Sequence, residues 1–336
     1  MAFATQWLSE QDVVAALDLT GAIRALRTGF AHEGTGRAAA LPKTMLHFAG
    51  RSTLHALGAA LPEEHLVGTK TWTHTPGGAD PALLLFDAET GALLAVIEAF
   101  ALGQLRTAAT AAIATDLLAR TDASRLAVIG TGKQALAQVA AVAQVRAVKE
   151  IRAHSPNPDH RAAFAGLVES ELGVTCSPAG SAAEAVDGAD IVTLVTRATA
   201  PVLTDSMVTE GMHVNAVGAI DLERCEFEPS ILGRCGTVVT DSDADVRLRS
   251  SEFRDHFGAD EARWRTVRTL GEMVASGPRE RDPAEITLFK GMGSGIEDVA
   301  LGAAVLAAAG LQKPGVVINR AGRARIDFAT IDRDPK

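Results

Sequence analysis

Cysteine is scarce in this chain. Cys176, Cys225 and Cys235 are scattered and odd in number. They fit neither a disulfide framework nor a zinc site, and a reducing cytoplasm is the expected compartment. Long apolar runs are absent as well: the chain is 47% hydrophobic, yet no window reaches the length of a membrane span. Met1 to Trp7 lack a basic stretch followed by an apolar core, so no secretory signal is expected. Positive charge is not in excess. The formal net charge of −9 argues against a general nucleic-acid binder. There is no low-complexity segment and no internal repeat of fixed period. The histidines show no ligand spacing. Asp241, Asp243, Asp245 and Glu252 imitate a calcium loop, but Val246 stands where that loop needs glycine. Asp241 and Asp243 read instead as a polar strand end and a helix cap, and no metal is expected.

What is present is one informative stretch, Arg125-Leu-Ala-Val-Ile-Gly-Thr-Gly-Lys-Gln-Ala135. Leu126 to Ile129 have the length and β-branching of a buried parallel strand. Gly130, Gly132 and Ala135 then spell G-x-G-x-x-A. The first glycine allows the tight turn, the second lets a pyrophosphate approach the backbone, and the small third residue lets the helix pack on the strand. A helix beginning near Lys133 would offer free N–H groups to the phosphates. A second strand, Ile151 to His154, follows about twenty residues later, which is the context this motif requires. Gly130, Thr131, Gly132, Lys133, Gln134 and Ala135 are therefore candidate dinucleotide contacts. At the end of the second strand the usual ribose-binding acid is missing. His154, Ser155 and Asn157 stand there instead, with His160 and Arg161 nearby, and this favours NADP(H) over NAD(H). Thr196, Val217 and Gly218, at the carboxyl ends of two later strands, complete the expected cofactor wall.

Read in order, Ser9 to Asp12 look like a helix cap, a second helix starts at Thr20, and Ala38 to Pro42 form a break. Strands are expected at 44–48, 53–57, 67–73, 83–86 and 93–97, the last two joined by a hairpin turn at Asp87 to Gly91. A long alanine-rich helix covers 101–119. From Arg125 strands at 126–129, 150–154, 173–177, 190–195, 212–217, 237–241 and 285–289 alternate with helices, which implies a doubly wound parallel sheet. A helix over 296–309 should leave that unit, and Gly315 to Asn319 should return as a strand to the first. The expected fold class is α/β: a Rossmann-type domain at 121–305, and a discontinuous α+β substrate and dimerisation domain formed by 1–120 with 306–336.

Six pieces, the glycine stretch among them, follow in a set order: Gly68-Thr-Lys-Thr71, Gly103-Gln-Leu-Arg-Thr-Ala-Ala109, Val128-Ile-Gly-Thr-Gly-Lys-Gln-Ala135, Ala189-Asp-Ile-Val192, His213-Val-Asn-Ala-Val-Gly-Ala219 and Phe289-Lys-Gly-Met-Gly-Ser-Gly-Ile-Glu-Asp298. In their order and spacing the chain resembles the ornithine cyclodeaminase/mu-crystallin family over nearly its whole length. That family includes cyclodeaminases, amino-acid dehydrogenases, ketimine reductases and lens or hormone-binding proteins. The resemblance implies that Lys70 acts at a substrate carboxylate and in proton transfer. A lysine beside a positive nicotinamide and an arginine would also have its pKa lowered. It implies that Arg106 binds the carboxylate through a bidentate pair, which would relieve a positive charge near a helix N-terminus. Lys43 stands where relatives carry a second carboxylate-binding arginine. Lysine lacks the planar fork, and Arg51 is an alternative source of a guanidinium.

One departure separates the possible activities. The cyclodeaminases carry an aspartate directly after Gly-Ala. Here Ile220 holds that position and Asp221 comes one residue late, pointing the opposite way on an extended segment. Asp221 is kept as a catalytic candidate, but the cyclodeaminase reading is weakened. The favoured expectation is an NAD(P)H-dependent imine reductase or amino-acid dehydrogenase acting on a small carboxylate-bearing imine, oxo acid or amino acid. It is expected to be a cytoplasmic homodimer with neither nucleic acid nor membrane as partner. Alternatives are an ornithine- or lysine-type cyclodeaminase and a non-catalytic NADP-binding crystallin-like protein.

Overall fold

A computed structural model describes residues 4–50, 52–312 and 316–319. The chain opens with β1 (Ala4–Leu8), α1 (Glu10–Ala16) and α2 (Leu19–Gly34). Ser9 and Asp12 close a reciprocal capping box on α1, as the Ser-x-x-Asp spacing suggests. Then follow β2 (Ala39–Phe48), β3 (Ser52–Leu61), β4 (Leu66–Thr75), the two-residue β5 (Gly78–Ala79), β6 (Ala82–Asp87), β7 (Leu93–Glu98) and the long helix α3 (Phe100–Leu118). The strands pair β2-β3-β4-β6-β7 antiparallel, and β1 joins the far side of β7 in parallel. The expected break at 38–42 is in fact part of β2. Pro42 sits at a register shift between Leu41 and Thr44, where its missing N–H leaves no gap in the ladder. That irregularity turns Lys43 inward as the single buried residue of β2. The strand β1 was not expected, because five residues without alternation carry little signal.

The second half alternates as anticipated: β8 (Arg125–Ile129), α4 (Ala135–Val145), β9 (Glu150–His154), α5 (Pro158–Leu172), β10 (Cys176–Pro178), α6 (Ala182–Val186), β11 (Ile191–Leu194), β12 (His213–Ala216), β13 (Cys235–Thr240), α7 (Asp243–Arg249), α8 (Ser251–Phe257), α9 (Glu261–Trp264), β14 (Val267–Thr269), α10 (Leu270–Ser276) and β15 (Ile286–Lys290). All neighbours are parallel, in the order β10-β9-β8-β11-β12-β15-β13-β14. This is a doubly wound sheet whose winding reverses between β8 and β11, the place where such sheets leave a crevice. Three details differ from expectation. Gly173, at φ 66°, caps α5 in the left-handed region, so β10 begins only at Cys176. Ser242 rather than Asp243 caps α7. The three-residue β14 was too short to be seen in the sequence.

After β15 the chain enters α11 (Gly295–Gln312) and ends its described part with β16 (Val316–Asn319), which pairs antiparallel with β1. Helices α3 and α11 lie between the two sheets. His213 on β12 contacts the Thr287 hydroxyl and the Asn215 amide oxygen, and the Asn215 amide donates to Thr115 of α3, tying the parallel sheet to that helix. The amino end of α11 rests on β3 with no side chain between them: a Cβ at Gly295 would lie 1.9 Å from the Gly58 carbonyl oxygen. Among the described residues no helix is long and apolar enough to cross a membrane.

The Gly58–Gly295 contact gives a stability prediction. Gly295→Ala should destabilise the fold by about 1–3 kcal/mol or more, since backbone must move. Gly310→Ala, in the same helix with open space around it, should be neutral or stabilising by up to about 1 kcal/mol. Denaturant unfolding of the two variants checks this; equal midpoints would remove the contact from the account.

Candidate active site

At the winding reversal the backbone must turn sharply out of β8. Gly130 does so at φ 104°, and a Cβ there would meet the Val195 carbonyl oxygen at 2.5 Å. Gly132 has nothing within 4 Å of its absent side chain, so its backbone is open to the space above the sheet. Helix α4 starts at Ala135, two residues later than expected, with no side-chain hydrogen bond at its cap. Its first N–H groups are therefore left without a partner from the chain's own side chains.

A cavity of about 1000 Å³ opens here. Its wall is drawn from the carboxyl ends of five parallel strands. Gly130, Gly132, Lys133 and Gln134 line it beside β8; His154, Ser155 and Pro156 beside β9; Thr196 and Arg197 beside β11; Val217, Gly218 and Ile220 beside β12; Phe289, Gly291, Met292 and Gly293 beside β15. Arg106, Thr107 and Thr110 of α3, together with Asp241 and Glu297, form the opposite end. Thr131 and Ala135 stand behind this wall. Thr131 donates to the Ser155 hydroxyl at 2.9 Å, and Ala135 is packed in the core. Asn157 caps α5 by accepting from Asp159 N and His160 N, and it is not on the wall.

At the α3 end lies a cluster of buried charges, of which Arg106 and Glu297 are on the cavity wall while Lys43, Lys70 and Asp298 stand behind it. The Lys70 ammonium donates to Asp298 Oδ1 at 2.5 Å. Arg106 Nη1 donates to Glu297 Oε2 at 2.8 Å, with Arg106 Nε 3.9 Å from Asp298 Oδ1. Lys43 donates to the Met292 carbonyl at 2.5 Å, and Arg249 to the Lys43 carbonyl at 2.7 Å. Burial lowers Lys70 to about 8: the Asp298 carboxylate raises it and the Arg106 charge lowers it further. Burial likewise lowers Lys43. It opposes the charge on Arg106 too, but Glu297 and Asp298 outweigh it and hold the guanidinium above its ordinary value. Glu297 is raised to about 8 by burial, with Arg106 pulling it down and Asp241 pushing it up.

The sequence reading needs two corrections here. Arg106 is the seventh residue of α3, too deep for its charge to oppose the helix N-terminus strongly, and its counter-ion is the chain's own Glu297. Asp221 does not reach the cavity wall. Its carboxylate accepts from Glu223 N and lies 3.3 Å from Arg224 Nε, while Ile220 faces the cavity. Arg51 lies outside the described residues.

The structure also brings to the site groups that the sequence did not place there. Glu297 and Asp298 occupy the first turn of α11, where the helix dipole favours carboxylates, and that signal was available. Asp241 accepts from Met292 N and Gly293 N at 2.8–3.0 Å and shapes the loop after β15. The fully buried Glu226 accepts from Thr196 N, the Thr196 hydroxyl, Gly218 N and Ala219 N, so one carboxylate clamps the loops after β11 and β12. No local sequence feature marks Glu226 for that task.

Sheet order, glycine turn and cavity define the class: a doubly wound protein whose strand-end crevice is closed by α3 and the first turn of α11. The model of the ornithine cyclodeaminase/mu-crystallin family matches residues 4–333, and the chain belongs to that family. It is 31% identical over 256 residues to the ketimine reductase mu-crystallin of Mus musculus, covering 74% of this chain and 78% of the relative. To the alanine dehydrogenase of Archaeoglobus fulgidus it is 30% identical over 309 residues, 88% and 92% of the two chains. The solved Thermococcus litoralis Delta(1)-pyrroline-2-carboxylate reductase, in complex with NADH and L-proline, superposes with a TM-score of 0.87 at 26% identity, over 93% of this chain and 99% of that one.

Proposed function

We propose that the protein is an NAD(P)H-dependent oxidoreductase acting on the C=N or CH–NH bond of a small carboxylate-bearing imine or α-amino acid. The observation that carries this reading is the Arg106–Glu297 ion pair at one end of a cavity whose other end is the glycine turn of β8, with the buried Lys70–Asp298 pair behind it, Asp298 lying 3.9 Å from Arg106. Buried ion pairs add little net stability over apolar packing, so four charged groups gathered beside a cavity suggest use rather than support. The site fits a dinucleotide. The Gly132 backbone is open, the start of α4 lacks a side-chain cap, and Lys133 adds positive charge on the same wall. A bound nicotinamide dinucleotide supplies or accepts the hydride in such chemistry.

The remaining tasks fall to this chain's side chains. Arg106 lines the cavity and offers its guanidinium to the substrate carboxylate. Lys70, held near 8, can hold or release a proton close to neutral pH, with Asp298 fixing its ammonium. Lys43 braces the Met292 loop, and its reach to the substrate is part of this proposal. The Thr110 hydroxyl, buried on the wall without a partner, is a spare hydrogen-bonding group for a ligand. Ile220 on the wall, with Asp221 turned to Arg224, favours reduction over cyclodeamination, which needs a carboxylate for water or ammonia. The buried lysine and arginine favour an enzyme over a cofactor-binding crystallin-like protein.

Three parts of the reading extend it. The absence of an acid beside His154 and Ser155, with Arg197 on the same wall, supports NADP(H). The pairing of β16 with β1 supports a first domain of 1–120 with 306–336, around a Rossmann domain of 121–305. Leu46 and Leu54, paired across β2 and β3, are 61% and 41% exposed, and with exposed Phe48 they support a homodimer that covers this face. The scattered free cysteines support a cytoplasmic setting.

Cofactor choice is checked by initial rates with NADPH and NADH. NADPH should be preferred, and Ser155→Asp should shift preference toward NADH by repelling a 2′-phosphate. A wild type at least tenfold better with NADH refutes this. Sedimentation at micromolar concentration should give a dimer; a monomer removes the dimer. The assignment of roles is tested on cyclic imines and on 2-oxo acids with ammonia. Lys70→Ala should lose most of kcat. Arg106→Ala should mainly raise KM. Asp221→Asn should cost less than about tenfold. A loss for Asp221→Asn as large as that for Lys70→Ala would point to the cyclodeaminase instead.

A further inference from the structure

Arg106 faces the cavity with a carboxyl group of the chain already on it. Glu297 Oε2 accepts from Arg106 Nη1 at 2.8 Å, Glu297 Oε1 accepts from Ser294 N at 3.1 Å, and the Glu297 side chain is fully buried. Asp241, on the same wall, is close enough to Glu297 to push its carboxyl up. The other charges facing Glu297 are committed: Lys70 of β4 to Asp298, and Lys43 of β2 to the Met292 carbonyl, with Asp245 and Arg249 of α7 beside it. Glu33 of α2 approaches Asp241. A ligand carboxylate brought to Arg106 is therefore a third carboxyl group around one guanidinium, in a place where water screens little. Like-charged carboxyls this close do not all stay ionised; one takes a proton.

We infer that a monocarboxylate binds at Arg106 only with Glu297 protonated, so that the arginine exchanges its contact with Glu297 for the ligand's carboxylate and, wherever Glu297 is ionised in the free protein, binding takes up one proton. This rests on the assignment of Arg106 to the ligand carboxylate made above. In the free protein burial holds Glu297 near 8 against the pull of Arg106. A ligand anion weakens that pull and adds a like charge, so Glu297 lies higher in the complex. Below about 8 both states carry the proton and affinity is flat. Between the free and the bound value the proton is taken up on binding, and affinity falls by about tenfold per pH unit.

Calorimetric titration with pyrrole-2-carboxylate, a planar carboxylate without a reducible imine, tests this between about pH 6.5 and 9.5 with NADP+ present. Buffers of different ionisation enthalpy give the number of protons taken up. Uptake should rise from near zero toward one as the pH passes about 8. Glu297→Gln should bind with pH-independent affinity and no uptake. Lys70→Gln should retain the uptake, which gives the same discrimination without altering Glu297. Binding without uptake at any pH overturns the inference. So does uptake that persists in Glu297→Gln or vanishes in Lys70→Gln, because either assigns the proton to Lys70, which is also held near 8. No binding at any pH overturns the placement of the carboxylate at Arg106, and the inference with it.

Discussion

The contact on which the site depends is the seating of one helix end on bare backbone. Gly295 meets the Gly58 backbone with no room for a methyl group on Gly295, while a Cβ on Gly58 would meet the Gly68 carbonyl oxygen of β4 at 2.5 Å. This brings the first turn of α11 down onto β3 and β4, so that Asp298 reaches Lys70 and Glu297 reaches Arg106. Carboxylates are favoured in that turn by the helix dipole, and here they also neutralise two cations that arrive from other elements. Position, sign of charge and burial are thus set together by two glycines that lie 237 residues apart in numbering but touch in space.

The parallel sheet contributes in a different way. Its strands are nearly uniform, and specificity of shape comes from the loops at their carboxyl ends. Glu226 gathers the loops after β11 and β12 on its two oxygens, and its own N–H donates to Glu252, which also faces Lys290 at 3.5 Å. Asp241 does the same for the loop after β15. The cavity floor is therefore held by carboxylates accepting backbone N–H groups, an arrangement that tolerates wide change in the side chains pointing upward.

Local features were legible in the sequence. The turn at Gly130 and Gly132 depends on residues within a few positions of each other, and the strands of the parallel sheet are short β-branched runs that read the same in any context. Pro42 misled, because a proline at a strand irregularity looks like a break when the ladder is not yet known. Lys70 and Arg106 stood out as charges on apolar elements. Their partners did not, since Asp298 and Glu297 lie 228 and 191 residues away and no local pattern links them. Without those partners Arg106 looked like an empty receptor; with them it is already bonded to a carboxyl group of the chain. Glu226 was invisible for the same reason: it acts on backbone atoms, and backbone leaves no signature in side-chain identity.

Two segments carry the chain from one sheet to the other, and both are long helices, α3 and α11, packed along much of their length. A flexible loop would let two bodies swing open about a point. Packed helices resist bending and allow mainly small sliding displacements along their contacts, which is shear rather than hinge motion. The packing of α3 and α11 therefore favours rearrangement of the loops at the rim of the crevice over a change in the separation of the two sheets.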